Sequence, residues 1–357
     1  MSPVTREDIA SILQAPIPWD QFRGTTVLVT GASGILGTYM VETLLELNRT
    51  VLSSPARIVA LVRNPITAKE RFSEHMARPD FHLLIQDVCV PLPAAERPDY
   101  VLHAASQVNP GLQRDDPVGT LLPNAVGTSQ LLRAVEKHSI RGFLFLSSGT
   151  VYGTNNFQTS FSESDLGYLD LSNARASYAE SKRMGEMMCV AWARQFGVPT
   201  RIVRPFHTYG PGMPLDDGRL CADFVRDILR KRPLVFHNTS SAPLSFCYLA
   251  DATAAFFTVL LKGGDGEAYN VANPDASYSV RQLAGRLTQA FDLGSSSGNL
   301  FCRANEIGSP ETSGPAPSIE KISSLGWKPR TDVEEGFRRT VRSYSSGSNS
   351  TAERLAD

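Results

Sequence analysis

Short apolar runs separated by amphipathic stretches fill the first two thirds of this chain. Thr26-Val27-Leu28-Val29-Thr30 reads as a strand, and the helical spacing of Ile35 to Asn48 predicts the helix after it. Further strands are predicted at 57–62, 81–86, 100–103, 142–146 and 200–204, with helices at 124–136 and 178–195. These runs are rich in Val, Ile and Leu without alternation, as parallel strands covered on both faces should be. The fold class is therefore α/β, a doubly wound parallel sheet of the Rossmann type over residues 25–204, preceded by an N-terminal extension at 1–24. After Arg204 the rhythm breaks at Pro205, Gly210, Pro211, Gly212 and Pro214. Helices at 220–231, 250–261 and 280–291 and a strand near 243–248 make 205–344 mostly a smaller, interleaved substrate-binding domain. The polar tail 345–357 predicts disorder.

Composition narrows the function classes. Lys plus Arg is 35 against 36 Asp plus Glu, without the basic excess that non-specific nucleic-acid binding needs. No apolar stretch approaches the ~20 residues that span a bilayer, so no membrane partner is expected. Arg6, Glu7 and Asp8 interrupt the N-terminus, which argues against a secretory signal. Cys89, Cys189, Cys221, Cys247 and Cys302 are scattered without a CxxC, so neither a disulfide frame nor a metal site is predicted. The expectation is a cytoplasmic enzyme with a small-molecule substrate.

Gly31-Ala32-Ser33-Gly34-Ile35-Leu36-Gly37 lies between the first strand and the first helix. Glycines there let a pyrophosphate approach the free N–H groups and positive dipole end of the helix. Taken alone a glycine-rich turn often just reverses the chain; strand, helix and repeated βα units make it a dinucleotide site. An acid ending the second strand would hold ribose hydroxyls and signal NAD. Here that place is Arg63, which leaves NADP open through its 2′-phosphate, or lies on the adenine face. Asp87-Val88 is either an adenine contact or an ordinary strand-end turn.

Tyr178-Ala-Glu-Ser-Lys182 sets a phenol and an ammonium one helical turn apart. A tyrosine serving as base near neutrality needs a downward shift of ~3 pH units, roughly 4 kcal/mol, and a nearby cation supplies it. Such a pair is usually a half-exposed surface. Its weight comes from lying downstream of Ser147-Ser148-Gly149-Thr150-Val151-Tyr152-Gly153, where Ser148 either holds a substrate oxygen or merely caps the strand.

With the glycine motif, His103-Ala-Ala-Ser106, Asn124, Ser148, Tyr178/Lys182 and Arg204-Pro-Phe-His-Thr-Tyr-Gly-Pro211 in this order, the chain resembles the extended short-chain dehydrogenase/reductases, the sugar epimerase/dehydratase family. Phe246-Cys-Tyr-Leu-Ala-Asp251 and Leu325-Gly-Trp-Lys-Pro329 extend the match over about residues 25–344. The stretch 103–124 and Arg175 look most like the UDP-glucuronate decarboxylase and 4,6-dehydratase branch. The resemblance implies tightly held NAD and transient oxidation of a sugar hydroxyl to a ketone. It implies that Tyr178 is the base, that Lys182 orients the ribose and lowers the tyrosine pKa, and that Ser148 with Thr150 completes the catalytic set. It implies cofactor contacts from Gly31, Ser33, Gly34, Ile35, Leu36, Gly37, Arg63, Asp87 and Val88. Ala104, Ala105, Ser106, Asn124, Ser147 and Pro205 complete that set. Substrate contacts follow from Gln107, Ser148, Gly149, Thr150, Arg175, His207, Thr208 and Leu244. A homodimer paired through helices 124–136 and 178–195, with Val190, Ala193 and Phe196 on its face, is implied too.

Several positions depart from the family. Its dehydratases and decarboxylases carry an acid where Thr150 stands, and a threonine cannot unaided take a proton from carbon. Glu163, Asp165 and His207 are the replacement candidates; His207 also stands where the family has asparagine. The arginine that grips a substrate diphosphate is replaced by Leu244, a loss on the order of 2 kcal/mol. The second such arginine falls near Gly308, with Arg303 as a substitute. A nucleoside without diphosphate therefore stands beside a nucleotide-sugar as substrate. The first function class is a redox-neutral epimerase or dehydratase. An NADPH-dependent ketoreductase, favoured by Arg63, is separated from it by steady-state NADPH oxidation. A non-catalytic binding protein is disfavoured by retention of Ser148, Tyr178 and Lys182.

Overall fold

The computed structural model describes residues 1–154, 160–236, 243–293 and 316–345, and the backbone of 301–302. Seven parallel strands form the central sheet: β1 (Thr26–Thr30), β2 (Arg57–Val62), β3 (Phe81–Ile85), β4 (Tyr100–His103), β5 (Gly142–Leu146), β6 (Thr200–Pro205) and β7 (Glu267–Val271). Their order is β7-β6-β5-β4-β1-β2-β3. The winding reverses beside β1, and ligands of such sheets bind in the crevice at the carboxyl ends there. Inner strands β1, β4 and β5 are buried almost throughout, which is why their sequences do not alternate.

Six strands fall where the apolar runs place them; β3 stops at Ile85 and β6 continues to Pro205. The seventh was not expected. Glu267-Ala-Tyr-Asn-Val has too little apolar character to announce itself, and it is a strand because it registers against β6 from Glu267↔Arg201 to Val271↔Pro205. The predicted strand near 243–248 is two short pieces with different partners. Leu244–Ser245 pairs antiparallel with Ser277–Tyr278, and Cys247–Tyr248 runs parallel to Thr208–Tyr209.

The helix after β1 is α2 (Ile35–Thr50). The helix expected at 124–136 opens with a π-helical turn, Pro123–Gly127, before α3 (Thr128–Val135). The 178–195 prediction becomes α4 (Ser177–Phe196), ended by Gly197 at φ 67°. Beyond residue 204 the helices are Leu220–Leu229, α5 (Leu249–Lys262) and Val280–Ala290. α5 is buried continuously from Leu249 to Leu260, because it packs on the sheet through β5 and β6. The segment after 204 thus contributes a strand and a helix to the Rossmann layer. The last helix, α6 (Val333–Ser345), includes Ser345, and 346–357 lie outside the described residues.

Residues 1–24 hold a helix with no counterpart among the sequence expectations, α1 (Pro3–Leu13). Ser2 caps it by accepting Thr5 N–H at 3.1 Å, and Pro3 starts it with a preset φ. Its apolar face is only Val4, Ile9 and Ile12, too sparse a pattern to read. Between them Asp8, 2 % exposed, gathers Tyr39 of α2 (2.9 Å), Tyr248 (2.8 Å) and both Nε and Nη2 of Arg339 on α6 (3.0 and 2.7 Å). α1 therefore ties the Rossmann layer to the C-terminal helix.

Candidate active site

At the end of β1, Gly31 adopts φ +61°, and a Cβ there would sit 2.7 Å from Ala105 Cα. At Gly37 a Cβ would lie 2.3 Å from Gly31 O, so helix and strand meet only because both side chains are absent. Gly34 is the N-cap of α2 in extended conformation with no side-chain cap. The first-turn N–H groups around Ser33, Ile35 and Leu36 are thereby left for an anion. Ala104, Ala105 and Ser106 follow β4 beside this loop, and Ala105 N–H donates to Thr30 Oγ1 at 3.2 Å. The Ser106 hydroxyl is buried without a partner among the described residues. Arg63 is exposed at the end of β2, with no acid beside it in sequence. Asp87 accepts Cys89 N–H at 2.8 Å, so its turn is built by its own carboxylate. Val88 is buried against Gly127, where a Cβ would come within 2.8 Å of it.

The candidate group Ser148, Tyr178 and Lys182 sits where β5 ends. Ser148 Oγ accepts from Thr150 N–H at 3.2 Å and Thr150 Oγ1 at 3.0 Å, and it faces the Tyr178 phenol. Burial raises the Tyr178 pKa, while the Ser148 hydroxyl and the Arg219 guanidinium pull it back. The Arg219 guanidinium is thus a cation acting on this phenol that the resemblance did not name. Lys182, 2 % exposed, donates Nζ to Leu146 O at 2.6 Å and stands 5.7 Å from the Tyr178 ring centroid. Burial pushes it down to about 7, against the opposing charge of Glu186.

Sequence reasoning missed Arg219. It has no motif of its own, lying in the loop Asp216-Asp217-Gly218-Arg219, and only chain folding brings it to the phenol. Asp217 holds it through Nε at 2.7 Å, and Asn109 Nδ2 bonds Asp217 O at 3.1 Å, tying that loop to the segment after β4.

The other residues expected in the site have the following surroundings in the protein. Ser147 gives its hydroxyl to Glu186 Oε1 at 2.5 Å. Asn124 donates to Ser181 Oγ (3.0 Å) and Thr120 O (3.1 Å), pinning α4 through the π turn, and its buried Oδ1 has no partner among the described residues. Gln107 Nε2 is bound to Asp116 O at 3.2 Å and Thr120 Oγ1 at 3.1 Å, within its own loop. Gly149 has no side chain because Phe206 fills the place, 2.7 Å from where Cβ would be. Thr208 turns its hydroxyl back on Phe206 O at 2.7 Å. Leu244 is buried in the core. Arg175 is half-buried two residues before the start of α4, and Pro205 is half-buried at the end of β6. His207 lies with its ring 5.5 Å from that of Phe246. Glu163 Oε1 accepts Asn270 N–H at 2.8 Å and Asp165 takes Ser162 N–H and Oγ, both at 2.7 Å, so these carboxylates are engaged in folding. Arg303 and Gly308 lie outside the described residues.

A Rossmann sheet with an uncapped glycine loop at the switch point is the architecture of a nucleotide-cofactor enzyme. The NAD dependent epimerase/dehydratase family matches residues 27–272. UDP-glucuronic acid decarboxylase 2 of Arabidopsis thaliana is 30% identical over 324 residues, covering 90% of this chain and 68% of the relative. UDP-glucuronic acid decarboxylase 1 of Xenopus tropicalis is 29% identical over 320 residues, 89% and 72%. Among solved structures, UDP-glucose 4-epimerase of Thermotoga maritima superposes with TM-score 0.76 at 21% identity, covering 90% of this chain and 98% of that one. UDP-glucuronic acid 4-epimerase of Bacillus cereus, solved with UDP-glucuronic acid and NAD, gives 0.74 at 21%, covering 89% and 98%. This chain belongs to the NAD-dependent epimerase/dehydratase family, and NAD is its cofactor. The uncapped turn and the orphaned Ser106 hydroxyl fit that dinucleotide. Among the described residues no group of three or more His, Cys, Asp or Glu is placed to hold a metal, and no helix is long and apolar enough to cross a membrane.

Proposed function

We propose that this chain transiently oxidises a sugar hydroxyl and restores it as the epimer, on a sugar carried by a nucleoside. The hydroxyl cluster Tyr178–Ser148–Thr150, with Lys182 one turn along, carries the reading. Bound NAD supplies the hydride acceptor and donor. The backbone of Gly31 and of Ser33 to Gly37 holds its diphosphate, Asp87 and Val88 border the adenine, and Lys182 orients the ribose. Ser148 and Thr150 hold the sugar oxygen while Tyr178 takes its proton and later returns it. Elimination needs a base for a carbon acid. Thr150 is none, Glu163 and Asp165 are engaged in folding, and the His207 ring lies against Phe246, which favours epimerisation over dehydration.

Buried Leu244 supports a substrate without diphosphate, although the named relatives act on UDP-linked sugars. Calorimetry is expected to give binding of a plain nucleoside within about tenfold of the matching UDP- or dTDP-sugar. Micromolar UDP-sugar binding with no nucleoside binding would overturn this substrate class. Deuterium incorporation at the oxidised carbon's neighbour would assign a dehydratase, and carbon dioxide release a decarboxylase.

A homodimer is proposed with it. Val118, Leu122 and Val126 before α3 and Met184, Met187 and Val190 on adjacent α4 are all more than a third exposed, an apolar face that a second copy would cover. Met187→Glu is expected to convert dimer to monomer in light scattering coupled to gel filtration. A wild-type chain eluting as monomer would refute the dimer.

A further inference from the structure

A buried ion pair lies directly behind the proton-transfer group. Glu186 follows Lys182 by one turn on α4, and Arg204 is the penultimate residue of β6; the relative exposures of Glu186 and Arg204 are 8 % and 4 %. Arg204 Nε and Nη2 grip Glu186 Oε1 and Oε2 at 2.9 and 2.7 Å. Arg204 Nη1 continues to Tyr152 OH at 2.9 Å and Glu163 O at 2.7 Å, and Tyr152 OH donates to Asn270 Oδ1 at 2.6 Å. On its other side Glu186 Oε1 receives the Ser147 hydroxyl at 2.5 Å, next to Ser148 in the chain. One carboxylate thus touches the strand end that presents Ser148 and the helix that presents Tyr178 and Lys182. Burying such a pair brings no stability advantage over apolar packing as a rule, so a role beyond packing is the more economical account of it.

We propose that the Glu186–Arg204 pair is a positioning device: Glu186 holds the Lys182 ammonium charged in its apolar pocket and fixes the Ser147–Ser148 backbone, and Arg204 balances that charge. The inference rests on the assignment of Lys182 given above. Among the described residues, the charged and titratable groups facing Lys182 are few. Tyr178 and Glu186 share its helix. His103 on β4 is kept neutral, its pKa driven down to about 3 by burial and by the Lys182 charge. β5 offers only the Phe145 ring, 5.1 Å away, and Leu146 O. Glu186 is the one carboxylate in that set, and Arg204 the cation behind it.

The test reads the lysine itself, without turnover. Full-length protein with saturating NAD, carrying 13C at the lysine ε position, is titrated by NMR, with Lys182→Met assigning the resonance. Compared with wild type, Glu186→Gln is expected to move the Lys182 titration down by about one pH unit, because Arg204 then acts alone. Arg204→Met is expected to move it up by about as much, and the double variant to return it toward wild type. If Glu186→Gln does not fold, Arg204→Met and the charge-neutral double variant still decide the matter. Coincident titrations, or shifts of the same sign in both single variants, would overturn the proposal. A correct pattern in a protein that turns over no sugar would leave the charge coupling standing and refute the catalytic assignment instead.

Discussion

Tyr178→Phe is expected to lower turnover by about a thousandfold while leaving the fold and the NAD content unchanged. General acid–base catalysis contributes about 10²- to 10⁴-fold, and nothing else near Ser148 replaces the lost hydroxyl. Thr150 Oγ1 already donates to Ser148, and Lys182 is committed to Leu146 O. The phenyl ring would keep its place on α4, so substrate affinity should change little. Turnover of the substrate identified by calorimetry, followed by mass spectrometry, checks the rate, and thermal melting checks the fold. Full activity in this variant would remove the proton-transfer assignment. Arg219→Met should fall between the two. The phenol loses a cation that helps hold it, and the optimum moves to higher pH as the Tyr178 pKa rises.

Asp8→Ala should produce the largest loss of stability from a single change outside the site. It leaves the hydroxyls of Tyr39 and Tyr248 and the Arg339 guanidinium without their shared acceptor. Removing one half of a buried, hydrogen-bonded pair costs on the order of 3 kcal/mol. At an unfolding entropy of about 2.1 cal/mol/K per residue, that is roughly 4 °C in the melting midpoint of this chain. Arg339→Met should cost less, since that side chain is 20% exposed, and the double variant less than the sum. Scanning calorimetry checks all three. An Asp8→Ala midpoint within a degree of wild type would mean that α1 contributes nothing to holding α2 and α6 together.

The glycine loop and the Tyr178/Lys182 spacing were legible in the sequence because both are local. A turn that must admit a phosphate needs glycine within a few residues, and a helix puts positions four apart on one face whatever surrounds them. The six apolar strands were legible for a similar reason, since burial on both faces leaves no polar alternation to confuse them. β7 was not. Its five residues are a strand only because β6 is unpaired on that side until they arrive.

Chain-distant meetings belonged to the tertiary structure. Ser147 and Asn124 stood in cofactor-like positions in the sequence, yet one hydroxyl serves Glu186 and one amide serves Ser181, partners 39 and 57 residues away. Arg219 reaches Tyr178 from a loop without any motif, and Asp8 finds Arg339 across 331 residues. Local spacing determines which chemistry the chain can present. Which polar groups are left free to perform it depends on how buried donors and acceptors satisfy one another, and that accounting closes only when the whole chain has folded.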